Sequence, residues 1–187
     1  MQKAKKVHYV DNKRFYSEIV EYRKKLTEAR DAGLEDPRIT DYIGECIWKI
    51  AEKLSTKPCF ASYSFREEMV SDGIENCILY FKDYNPEIGQ NPFAYFTQVI
   101  YYAFLRRISK EEKNRYAMYK SFQENIINQH DTNLLRDGDG NHLLPTSMYD
   151  NINDFMSRFE KKEEIKKAKR KQAKEGLEPF FVEKENE

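Results

Sequence analysis

Cysteine, histidine and glycine are scarce in this sequence: 187 residues include three cysteines, three histidines and seven glycines. Cys46, Cys59 and Cys77 are odd in number and form no Cys-x-x-Cys pair. A disulfide framework is therefore not expected, and a reducing compartment is the simpler setting. His8, His130 and His142 stand at no metal-ligand spacing from each other or from a cysteine, which argues against zinc. Asp137, Asp139 and Asn141 are spaced like the start of a calcium loop, but His142 stands where that loop needs glycine and Met148 where it needs glutamate. Gly-rich phosphate loops, Gly-x-Ser-x-Gly and His-Glu-x-x-His are missing. No enzymatic activity, metal or cofactor is expected. No uncharged apolar run nears the roughly 20 residues of a membrane helix. The start, Met1 to Lys6, has no apolar stretch behind it to make a secretory signal. A soluble intracellular protein with no membrane partner is the expectation. An excess of one charge is also lacking, with 32 basic against 32 acidic residues. A nucleic-acid partner must then be argued from where the charges sit.

What the chain does have is charge and rings, at 34% and 14% of residues. So many aromatics argue against wholesale disorder. Phe15, Ile19, Tyr22 and Leu26 recur at helical spacing, predicting a helix over 11–36 that Asp31-Ala32-Gly33 can end. A second helix is predicted over about 41–54, with Thr40 as N-cap and Ile43, Ile47, Ile50 and Leu54 inward. A third covers about 65–81. A fourth starts at Asn91-Pro92, with asparagine capping and proline at the first helical position, and runs to about Tyr119. No strand alternation or internal repeat is present. The fold class is all-α, a helical bundle with an extended C-terminal arm. Residues 1–39 form an N-terminal helix and linker, 40–122 the core, and 123–149 a loop-rich linker. A basic helical arm at 150–176 precedes a hydrophobic and acidic tail at 177–187.

The strongest local signal lies between Tyr80 and Phe104, where nine residues are aromatic. On the fourth helix Phe93, Phe96, Ile100 and Phe104, with Ala103 beside them, make an apolar stripe that should pack inward. Tyr95, Gln98, Tyr102 and Arg106 make a second stripe, continued by Ser109 and Lys113. Ring, amide, ring and guanidinium in turn suit a core poorly and suit single-stranded nucleic acid well. Bases stack on aromatic faces for roughly 1–3 kcal/mol each while cations hold phosphates. Arg106, Arg107 and Lys110 are among five basic residues between 106 and 115, against Glu111 and Glu112. The alternative is that these tyrosines pack under loops and the arginines pair with Glu111 and Glu112.

Glu68-Met69-Val70-Ser71-Asp72-Gly73, then Tyr84-Asn85, Gly89, Tyr95, Thr97, Ile100 and Ala103, resemble conserved region 2 of bacterial sigma-70-type factors. Its pattern lies on 68–106 without a gap. With Tyr9 to Lys13, Asp72 to Glu75 and Asn91 to Tyr95, the chain resembles the late-transcription sigma factors of T-even-type bacteriophages. The likeness covers about 9–122, weakens through 123–175 and returns at the tail.

That resemblance implies a region 2-like bundle and a set of partners. The positions that dock on the β′ clamp helices of host RNA polymerase core match Glu68, Ser71, Asp72 and Asn76. The helix that melts promoter DNA matches 92–107. An aromatic stacking where the first base flips out aligns with Tyr95, and flipping costs least at an A·T step. The family's glutamine and arginine at the upstream duplex edge align with Tyr102 and Arg106. A tryptophan pair is replaced by Gln98-Val99, which implies weaker melting or a very A·T-rich promoter. No C-terminal helix-turn-helix follows residue 122, so a short −10-like element alone would hold the promoter, a thin interface for specific binding. A tether would then supply effective concentration. Leu177, Phe180, Phe181 and Val182 resemble the tail motif that binds the phage DNA sliding clamp. The alternative is that this tail folds back on the core. Lys161 to Lys174, with eight basic residues, would be a solvated helical arm near DNA or polymerase. A phage late co-activator is a further implied partner, and the cytoplasm of the infected bacterium the implied location. The rival reading is a polymerase-binding coactivator or anti-sigma adaptor without base recognition.

Overall fold

The computed structural model describes residues 8–128 and 146–175. Among them the regular elements are all helical: α1 (Asn12–Asp31), α2 (Asp41–Ser55), α3 (Pro58–Ala61), α4 (Arg66–Leu79), a 3-10 turn (Phe81–Asp83), α5 (Pro92–Asn128) and α6 (Thr146–Glu175). The protein is all-α. The chain divides into two compact units inside α5, the first ending at Ser109 and the second starting at Lys110. The buried residues of α1 belong to the same core as those of α2 and α4.

In the first unit the helix ends are set by local chemistry. Asp11 Oδ1 accepts from the backbone N–H of Lys13 (3.0 Å) and Arg14 (3.2 Å), capping α1. α1 stops at Asp31, five residues short of the sequence expectation. Gly33 takes φ 67°, and the N–H groups of Gly33 and Leu34 return to the carbonyls of Arg30 and Ala29. Thr40 caps α2, its hydroxyl oxygen 3.4 Å from the Ile43 N–H. Asn91 caps α5 through the Ala94 N–H at 3.1 Å. Asn12 supplies a second acceptor there, 3.2 Å from the Phe93 N–H. α3 lies between the second and third predicted helices; Pro58 starts it, and Phe60 is buried edge-on against Phe104 at 5.2 Å.

The predicted inward faces of α1 and α2 are buried, joined by Met69 and Cys77 of α4 and by Phe96, Ile100 and Phe104 of α5. Burying such side chains fully stabilises by about 1.5–3 kcal/mol each. Gly73 lets α4 approach α5, because a Cβ there would meet Ile100 Cγ2 at 3.0 Å and Phe104 Cε1 at 3.1 Å. Burial pushes the Cys77 thiol up to about 12, leaving it protonated and unreactive.

The loop leading into α5 is pinned by α1. The Tyr16 hydroxyl donates to the Pro86 carbonyl at 3.1 Å. Arg23 donates to the carbonyls of Lys82 (2.8 Å) and Tyr84. The Tyr84 hydroxyl donates to the Gly89 carbonyl. These bonds fix where α5 begins, and with it the position of Tyr95.

In the second unit α5 pairs with α6. Tyr116 stacks on Phe159 at 4.7 Å and Tyr119 meets Phe155 edge-on at 5.6 Å. Tyr116 donates to Glu160 (2.7 Å), Gln123 to Asn153 (2.7 Å) and Lys162 to Glu112 (2.5 Å). As the α5 number rises its α6 partner falls, so the pair is antiparallel. α5 runs past the predicted end at Tyr119, where Gln123 meets Asn153 of α6, and α6 starts at Thr146, before the predicted Asp150.

Candidate nucleic-acid interface

The two stripes of α5 separate as the spacing predicts. Phe96, Ile100, Ala103 and Phe104 are buried, and Phe93 is partly so. Gln98, Tyr102 and Arg106 are exposed, with half of Tyr102 open to solvent. Tyr95 is half-buried between the two faces. Its ring lies 4.9 Å from that of Tyr84 and edge-on to Phe96 at 5.1 Å, and its hydroxyl stands 3.5 Å from the Tyr80 carbonyl. Burial raises its phenol above the ordinary value, so the ring stays neutral across physiological pH.

The arginines do something the sequence did not announce. Arg107 donates to both carboxylate oxygens of Asp72, at 2.7 and 2.8 Å. Arg106 donates to Asn76 Oδ1 at 2.6 Å. Asn76 is itself oriented by its Nδ2, which donates to the Asp72 carbonyl at 2.7 Å. Two candidate DNA contacts are thus tied to two candidate polymerase contacts. Of the four docking candidates, Glu68 and Ser71 are exposed; the Ser71 hydroxyl donates to the Glu67 carbonyl at 3.1 Å. Lys110 is exposed and belongs to the second unit.

No protein-family model matches the chain, and no curated protein matches it.

Sequence reasoning gave no role to the end of α4. Leu79 and Tyr80 are exposed there, Leu79 by 66%, beside the Tyr95 end of the stripe. The run Ile78-Leu79-Tyr80 was the available signal, since three consecutive large side chains cannot all face one core. The candidate clamp-binding residues Leu177, Phe180, Phe181 and Val182 lie outside the described residues, as does most of the 123–149 linker, including the calcium-like spacing at 137–141. Among the described residues no cluster of His, Cys, Asp or Glu could hold a metal ion, and no helix is long and apolar enough to cross a membrane.

Chemically, the exposed face of α5 offers a ring for stacking at Tyr102, an amide for a base edge at Gln98 and a guanidinium at Arg106. Tyr95 adds a partly open ring one turn before Gln98. Side chains of these types hold unpaired bases and their phosphates.

Proposed function

We propose that this chain is a sigma-type transcription factor that binds bacterial core RNA polymerase and directs it to phage late promoters. It recognises and melts an A·T-rich −10-like element, with unpaired bases held along Tyr95, Gln98 and Tyr102. Glu68 and Ser71, with the neighbouring Asp72 and Asn76, form the acidic and polar edge offered to the β′ clamp helices. The tail residues Leu177, Phe180, Phe181 and Val182 tether the factor to the DNA sliding clamp. The observation that carries this reading is the exposure of Gln98, Tyr102 and Arg106 on a helix whose opposite side is anchored in the core. The region 2 resemblance supplies the partners.

A specific observation favours the rival adaptor. Arg106 and Arg107 are engaged by Asn76 and Asp72, as expected where cations serve the fold rather than phosphates. One transcription experiment separates the two. Tyr95→Ala should abolish permanganate reactivity of thymines at a late promoter while core polymerase still co-purifies with the factor. Equal reactivity in mutant and wild type favours the adaptor. In the same assay, removing 177–187 should keep basal initiation and lose the response to the clamp.

A further inference from the structure

The second half of α6 is a helix with little to hold it. Among the described side chains of α6 the last buried one is Met156, and from Lys161 through Ala173 none is buried. Ile165, the only large apolar residue in that stretch, is 58% exposed. The stretch carries Lys161, Lys162, Lys166, Lys167, Lys169, Arg170 and Lys171, against only Glu163 and Glu164. Glu163 is already bonded to Lys166 at 3.3 Å, and Lys162 to Glu112 at 2.5 Å. Lys161, Lys167 and Lys169 have no ion pair among the described residues.

The spacing adds a cost. Lys162 and Lys166, Lys166 and Arg170, and Lys167 and Lys171 stand four apart on one helix, where like charges repel. A helix polar on all sides needs compensating pairs or a partner to be stable. The helix dipole rewards cations only in the last turn, so it accounts for Lys174 and not for the series beginning at Lys161. A polyanion removes the repulsion by filling the field that causes it.

We propose that α6 from Lys161 onward grips the phosphate backbone of duplex DNA without reading its sequence. A membrane surface fits less well, because a helix lying in that interface needs an apolar face, and here Ile165 stands alone. A single strand fits less well, because no aromatic follows Phe159 on α6 and single-strand binding draws on stacking. This grip needs neither polymerase nor promoter, so it stands apart from the promoter-opening reading.

The test uses the full chain and a fluorescent duplex of about 30 base pairs of arbitrary sequence, titrated between about 50 and about 200 mM salt. The variant combines Lys161→Gln, Lys167→Gln, Lys169→Gln and Arg170→Gln. Each lost phosphate contact should reduce the slope of log K against log salt by about 0.9, so the variant's slope should be shallower by about 3 to 4. Two duplexes of unrelated sequence should give the same change. A control variant, Lys13→Gln with Lys24→Gln, Lys53→Gln and Lys57→Gln, should keep the wild-type slope. Circular dichroism of the variant should show undiminished helix, which removes misfolding as the cause. An unchanged slope overturns the proposal. So does tighter binding to phosphatidylserine vesicles than to duplex, or displacement of the duplex by polyglutamate at equal charge.

Discussion

Asp72 shows how one side chain can carry two meanings. Its carboxylate belongs to the face expected to meet polymerase, yet it holds Arg107 through two bonds, with both side chains less than a third exposed. Hydrogen bonds to charged groups contribute about 1.5–3 kcal/mol. Asp72→Asn should therefore lower stability in urea by about 1–2 kcal/mol, and any loss of polymerase binding in it would be ambiguous. Glu68 is exposed and has no ion pair among the described residues. Glu68→Lys should keep wild-type stability and weaken co-purification with core polymerase; unaltered co-purification counts against the docking face.

Asp36 gives a residue-scale pH prediction. Arg30 and Lys82 both bond its carboxylate, holding it down to about 2 from the ordinary 3.8. A depressed folded-state pKa means stability that is complete above the unfolded value and lost as pH falls through the folded one. The tie between the end of α1 and the turn before α5 should thus weaken between about pH 4 and 2. The Asp36 carboxyl resonance should titrate near the lower limit; a midpoint at the ordinary carboxylate value would show that the bridge does not form in solution.

At the scale of the element, two glycines with the same composition value have opposite consequences. Gly73 sits where α4 meets α5, and a side chain there collides with Ile100 and Phe104. Overpacking of this kind costs about 1–3 kcal/mol, more than the few tenths a β-branched residue gains over glycine in a helix. Gly73→Val should destabilise by about 2 kcal/mol in chemical denaturation. Gly44, on the exposed side of α2, has open space around its would-be Cβ. Gly44→Ala should stabilise by about 0.5–1 kcal/mol, because alanine loses less backbone freedom. Helical periodicity places both positions, but only the neighbouring helix distinguishes them.

At the scale of the whole molecule, the division inside α5 makes two regions with separate supports. The first rests on an aliphatic and aromatic core shared by four longer helices; the second rests on a ladder of rings between α5 and α6. Phe159→Ala removes the central ring of that ladder. Hydrogen exchange should speed up over 110–128 and 146–160 while protection in α2 and α4 stays as in the wild type. Loss of protection across both regions would mean that they unfold as one.

The sequence by itself determined the helical class, the caps at Thr40 and Asn91, the inward residues of α1, α2 and α5, and the exposed Gln98–Tyr102–Arg106 face. Those features follow from a period of 3.6 and from backbone groups that need partners within a few residues, and both are local. It left the ends of α5 and α6 displaced, because a partner such as Asn153, which Gln123 meets beyond Tyr119, lies on another helix. Tertiary structure alone decided that Arg107 meets Asp72 across 35 residues of chain and that Gly73 is a contact while Gly44 is not. Periodicity gives each helix a face but not the direction in which its neighbour lies, and pairing between helices is settled only when the core closes.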